Sequence, residues 1–205
     1  MGKVAERRAR VSEEILEAAR EVMTESGAAG LSLGEVARRM GMRTPSLYGY
    51  FAGRAQLCDE IFRCGWEDYG RLTAHIRVGP GTDLGELLRG AFLESVTWAN
   101  ENRAAAELMF WRPIPHWQPS AEAFTPSREA VGNVVRILTE AQAHGLLRPD
   151  ADVLEMAEAL GAIVSGVVSQ QLSNEPGVDA QSGRISRHAA AFAAMFMSHY
   201  GPRHR

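Results

Sequence analysis

The run Thr44-Pro45-Ser46-Leu47-Tyr48-Gly49-Tyr50, flanked by Arg43 and Arg54, holds the groups with the clearest chemistry in this chain. The hydroxyls of Thr44, Ser46, Tyr48 and Tyr50 can hydrogen-bond phosphate oxygens or base edges, and the Pro45 ring can meet a thymine methyl. Arg43 and Arg54 can hold backbone phosphates on either side. Competing chemistries have no support. There is no G-x-S-x-G, no Walker A loop, no H-E-x-x-H and no cysteine–histidine metal spacing, so no catalytic residue, metal or cofactor is expected. The histidines are scattered. Cys58 and Cys64 fall on different faces of one predicted helix and cannot pair locally; they read as core thiols in a reducing cytosol.

These polar groups need elements to aim them. Ser32 followed by Glu35 reads as a capping box, with Leu31 and Val36 placed as a hydrophobic staple. Leu33, Val36, Ala37 and Met40 give one apolar face at helical spacing. Gly41 can take the left-handed conformation that ends the helix, with Met42 covering the core. Thr44 is a good N-cap for the next helix and Pro45 suits its first position. Leu47 and Phe51 are four apart and share the inward face. Ser46, Gly49 and Tyr50 then face outward, with Tyr48 at the rim. This is the layout of a helix-turn-helix whose second helix enters a major groove. Its start offers free N–H groups to phosphate, and Ser32 joins the groups expected to touch DNA.

Residues 8–54 resemble the DNA-binding domain of the tetracycline-repressor (TetR) family. The matching pieces are ILEAAREVMTESG, GLSLGEVARRMGM and TPSLYGYF, with a basic residue following at Arg54. More weakly, ELMFWRPIPHWQPS and VLEMAEALGAIVSGVVSQQL are similar to one C-terminal subclass of that family. Gly49 stands where the family pattern carries a larger residue, which shifts base contact to Thr44, Pro45, Ser46 and Tyr48. The resemblance implies an all-α chain of about nine helices. An N-terminal three-helix DNA-binding domain (8–54) is joined through a long helix to a helical effector-binding and dimerisation domain (55–205).

The chain has 205 residues, is 45% hydrophobic and carries a net charge of −3. Such a charge argues against indiscriminate nucleic-acid binding. The basic residues are nevertheless concentrated before Ala55, led by Lys3, Arg7, Arg8 and Arg10, which form a candidate basic arm. The N-terminus lacks the apolar block of a signal peptide. The most apolar stretch, 153–172, contains Glu155 and Glu158 and reads as a buried helix rather than a membrane span. A cytoplasmic protein is expected.

The remaining helices are expected at about 8–26, 54–77, 83–100, 127–144, 152–172 and 181–200, with a short one before Trp111 and an irregular proline-rich segment at 111–126. Asp152 and Glu155 form a second capping pair. The eighth helix has one stripe through Ala157, Leu160, Val164 and Val167, with Val168 beside it. A track of small residues follows Ala157, Gly161, Ser165 and Ser169. The ninth has Ile185, Ala189, Phe192 and Phe196. These stripes are the expected homodimer interface, a four-helix bundle about a two-fold axis. Aromatic and methionine residues crowd the middle of the chain: Trp66, Tyr69, Trp98, Met109, Phe110, His116 and Trp117. They are the candidate effector site for a largely apolar small molecule. The function expected is therefore a ligand-released repressor of a palindromic double-stranded operator. The alternative is a dimeric DNA-binding regulator controlled by a protein partner.

Overall fold

The computed structural model describes residues 2–203; the last two residues of the expected second domain lie outside them. Among the described residues the chain is all-helical. The helices are α1 (Lys3–Ser26), α2 (Leu33–Arg39), α3 (Thr44–Leu47), α4 (Arg54–Ala74), α5 (Leu84–Glu101), α6 (Arg103–Ala106), α7 (Thr125–Ala143), α8 (Val153–Asn174) and α9 (Ala189–Tyr200). They form two compact units, Met1–Trp66 with Asn102–Thr125 and Glu67–Glu101 with Pro126–Arg205. The division falls within α4, beyond the end of the helix-turn-helix at Arg54. Packing thus draws the first half of α4 and all of α6 into the N-terminal unit.

In the first unit α1 buries Ile15, Leu16, Ala19, Val22 and Met23 along one stripe, as its spacing predicts. It also begins at Lys3, earlier than expected. Lys3, Arg7, Arg8 and Arg10 therefore ride on a helix and do not form an extended arm. Only helix-compatible residues follow Gly2, and Glu6 in the first turn suits the helix dipole.

In the second unit α5 packs against both α8 and α9. Leu88, Phe92, Leu138, Met156 and Phe196 are among the buried side chains of its core. Asp152 caps α8 as expected, its Oδ1 accepting from Leu154 N (2.8 Å) and Glu155 N (3.0 Å). Glu155 does not reach back; it accepts the Tyr200 hydroxyl at 2.9 Å and ties the start of α8 to the end of α9.

The ninth helix is shorter than expected because a side chain of α8 organises the chain before it. Gln171 is 0% exposed. Its Oε1 accepts from Ile185 N (2.9 Å) and Ser186 N (3.2 Å), while Glu175 Oε2 accepts from Arg184 N (2.7 Å). These bonds hold the segment before the helix in an irregular path. Ile185 consequently lies ahead of α9, half-buried.

The expected interface residues divide between buried, half-buried and exposed positions. Val167, Val168, Ala189 and Phe196 are core residues, and Ala157, Leu160, Val164 and Phe192 pack partly against the same core. Gly161 is the member of the set that is exposed. The reason is that both helices are apolar on more than one side, so periodicity alone does not choose the buried side. The outward faces carry Leu154, Gly161, Ala162 and Gly166 on α8, and Ala190, Ala191, Ala194 and Met195 on α9. By length and composition α8 could cross a membrane, but the polar ends of its Ser, Gln and Glu residues and its buried Gln171 suit a helix of a globular bundle.

A Cβ placed on Gly183 would stand 2.5–2.6 Å from the Gln171 amide. Gly183→Ala should therefore lower stability by about 1–3 kcal/mol through overpacking, read as a lower urea midpoint. An unchanged midpoint would show that Gln171 does not hold this segment.

Candidate nucleic-acid interface

The turn between the two short helices follows the sequence closely. Gly41 has φ +61°, and the Met42 N–H bonds to Ala37 O at 2.9 Å to close the end of α2. Val36, Ala37, Leu47 and Phe51 are buried. Arg43, Pro45, Ser46, Tyr48 and Gly49 are exposed, Thr44 and Tyr50 are half-buried, and Ser32 is exposed at the start of α2. Tyr48 is 57% exposed, unusual for so large a ring. A Cβ on Gly49 would find only Ser46 O, at 3.4 Å, so space does not dictate glycine there.

The caps differ from expectation. Ser32 is the N-cap of α2 by position, but its hydroxyl makes no capping bond. Glu35 turns instead to Arg38 (Oε2 to Nε, 2.8 Å; Oε1 to Nη2, 2.7 Å) and to Arg39 (3.2 Å). Charge-assisted forks of this kind outweigh a neutral cap. Arg39 also pairs with Glu21 (3.3 Å) and Glu25 of α1, clamping α2 onto α1. These arginines hold the Glu35 carboxyl down to about 2. In α3 the N-cap is Arg43, and Thr44 and Pro45 are already helical. The helix is a single turn, and residues 48–50 continue as turns.

Arg54, expected to hold phosphate, is engaged within the protein. Its Nη2 donates to Ala28 O (3.3 Å) and Ala29 O (2.8 Å) in the turn that joins α1 to α2. The same turn is held from its other side, since Ala28 N donates to Glu107 Oε2 at 2.8 Å. Glu107 is buried and also meets Arg103 at 3.3 Å. Sequence reading passed over Glu107; its one signal is an acid inside the apolar run 104–111. Arg8 was placed only in the basic arm. It donates from Nη2 to Gly49 O at 2.6 Å and lies over the Tyr50 ring, 5.3 Å from its centroid.

The candidate effector residues fall into two groups. In the first unit Phe62 stands edge-on to Trp66 (6.3 Å), Trp117 (5.9 Å) and Phe124 (5.2 Å), and Trp66 meets Phe110 at 6.5 Å. Trp117 Nε1 donates to Asp59 Oδ1 at 3.0 Å, which secures the proline-rich segment to α4. Met109 is buried close to Gly65, where a Cβ would stand 2.8 Å from its sulfur. His116 sits apart from these rings: it is exposed, in a left-handed turn with φ +61°. In the second unit the Tyr69 and Trp98 rings meet at 5.0 Å. The Tyr69 hydroxyl bonds to Ser95 Oγ (2.8 Å), and Trp98 Nε1 donates to Asp68 Oδ2 (2.9 Å). Burial pushes the Cys58 thiol up to about 11, so it stays protonated as a core group. No group of three or more potential metal ligands occurs among the described residues.

An α2–turn–α3 pair carrying exposed hydroxyls, packed on α1 and followed by a long helix, defines a helix-turn-helix protein. Residues 15–61 match the model of bacterial regulatory proteins of the tetR family, and residues 88–191 match the tetracyclin repressor-like C-terminal domain. The chain belongs to the tetR family of helix-turn-helix transcriptional regulators. It is 27% identical over 163 residues to the HTH-type transcriptional regulator Rv1816 of Mycobacterium tuberculosis, a match covering 75% of this chain and 66% of that protein. The fold is shared with the regulatory protein SCO4313 (TM-score 0.71, 24% identity, 95% of this chain and 98% of that one). It is shared too with a TetR family transcriptional regulator from Chloroflexus aurantiacus (TM-score 0.68, 15% identity, 93% of each chain).

Two outcomes follow from this geometry. Glu107→Ala should cost about 1–3 kcal/mol by leaving the Ala28 N–H unpaired, and amide exchange at Ala28 should quicken; equal exchange in both proteins would refute the contact. Glu35 is held below its ordinary value of 4.5, so the stability it contributes is present above pH 4.5 and drains as pH falls toward about 2. Acid titration of Glu35→Gln should therefore be flatter than that of the parent between those limits, and superimposable titrations would contradict the ion pairs.

Proposed function

We propose that this protein is a cytoplasmic repressor that reads a palindromic DNA operator as a homodimer and leaves it when a largely apolar small molecule binds. The observation that carries the reading is the outward face of residues 43–50. Arg43, Pro45, Ser46 and Tyr48 are exposed together while Leu47 and Phe51 anchor the segment in the core. An operator-bound dimer blocks polymerase without further contacts, so repression needs no additional machinery.

A single segment of this size reads few base pairs, and two copies about 34–36 Å apart read successive major grooves. The outward faces of α8 and α9 suit the pairing of two subunits. Gly161, Ala162 and Gly166 allow a close helix approach, and Leu154 and Met195, 61% and 67% exposed, supply apolar surface. For the effector, each unit offers an aromatic group of its own, Trp66 with Phe62 and Phe110 in the first and Tyr69 with Trp98 in the second. Apolar walls with a few fixed polar groups suit a mainly apolar ligand, which acts through its preference for the state unable to span the operator.

The test is binding, by fluorescence anisotropy, to duplexes that the protein enriches from a random-sequence library. Tyr48→Ala should weaken binding about tenfold or more while leaving the oligomer unchanged. Full affinity at moderate salt would refute the reading face. Gly161 has no neighbour within 4 Å of where a Cβ would stand, so Gly161→Glu is tolerated by the fold. Combined with Met195→Glu it should give folded monomers by light scattering, and a persisting dimer would place the interface elsewhere.

A further inference from the structure

Residues 48–50 follow a one-turn helix and are closed by Gly49 N to Ser46 O (3.3 Å), Tyr50 N to Leu47 O (2.9 Å) and, just beyond them, Phe51 N to Leu47 O (2.9 Å). A further contact on the segment comes from outside it. Arg8, forty-one residues earlier on α1, donates to the Gly49 carbonyl at 2.6 Å. The same guanidinium lies over the Tyr50 ring at 5.3 Å. A planar guanidinium can donate along its edge while stacking by its face; an ammonium, a point charge on a flexible stem, has no flat face and does not fix the two contacts in one geometry. Among its neighbours, Arg10 is turned to Glu14, at 3.8 Å.

We infer that Arg8 is a positioning residue for DNA reading. Resting on the DNA-reading proposal above, it grips the 48–50 turn through a backbone carbonyl and an aromatic ring. It thereby sets where Tyr48 and Tyr50 present their hydroxyls, and its charge is spent on the protein rather than on phosphate. The N-terminal turns of α1 thus form part of the specificity apparatus without touching a base.

The experiment uses full-length protein, Arg8→Ala and Arg8→Lys, with two readouts. The first is amide hydrogen exchange across 46–51, which needs no DNA. It should quicken severalfold in Arg8→Ala while the α5 and α9 amides stay unchanged; unchanged exchange at 46–51 overturns the proposal. The second compares the duplex enriched by the wild-type protein with a mixed-sequence duplex over a range of salt. Arg8→Ala should lose about tenfold on the enriched duplex, with little loss on the mixed one and no change in the salt slope. Arg8→Lys should fail to restore it. Equal losses on both duplexes, a salt slope reduced by about one and rescue by lysine would make Arg8 a phosphate contact and overturn the proposal. If the wild-type protein enriches no duplex, the DNA reading fails, and the exchange data alone decide whether Arg8 holds the turn.

Discussion

Ala28 is held through both its backbone N–H and its carbonyl, and this junction ties several elements of the N-terminal unit together. Its N–H goes to the buried Glu107 carboxylate and its carbonyl to Arg54. A turn between helices has no ladder to satisfy its backbone, and an unpaired buried amide costs about 1–3 kcal/mol. The partners come from the start of α4 and from the π-helical segment 107–111 that continues α6, so this junction joins α1, α2, α4 and the chain beside Met109 and Phe110. On the other side of α2, Arg39 collects Glu21, Glu25 and Glu35. The short helix that precedes the reading segment is fixed by charge from both directions.

The segment 43–51, proposed above to read DNA, has the opposite character. Its polar groups are turned outward, and its own helix is one turn long. It is anchored instead by Leu47 and Phe51, which are buried, and by Arg8 at its back. Short exposed segments of this kind can present hydroxyls to a duplex because their neighbours remove the entropy of the turn before the duplex arrives. Arg54 illustrates the division of labour, since a residue well placed for phosphate by sequence position holds the scaffold instead.

The second unit is built from helices that are apolar on several sides. α5 runs against both α8 and α9, and the side of each that it takes becomes the core. Gln171 then dictates how the chain enters α9, with its buried carbonyl serving as a surrogate helix partner for Ile185 and Ser186. The sides left outside are rich in glycine, alanine and serine, and Met195 and Leu154 stand on them.

The amino-acid sequence by itself determined where helices form and stop around the reading segment. Gly41 ends α2, Asp152 begins α8, and Leu47 and Phe51 turn inward, because these are properties of local backbone conformation and helical spacing. Only the tertiary structure decided what the long polar side chains do. Arg39 reaches Glu21 and Glu25 of α1, Arg54 and Glu107 meet at Ala28, and Arg8 reaches Gly49. Each of these partners was chosen by three-dimensional proximity, and a charge-assisted bond outweighs the weaker local option. The same limit applies to the stripes of α8 and α9. Where a helix is apolar on more than one side, its periodicity does not pick the buried side, and the neighbour packed against it does.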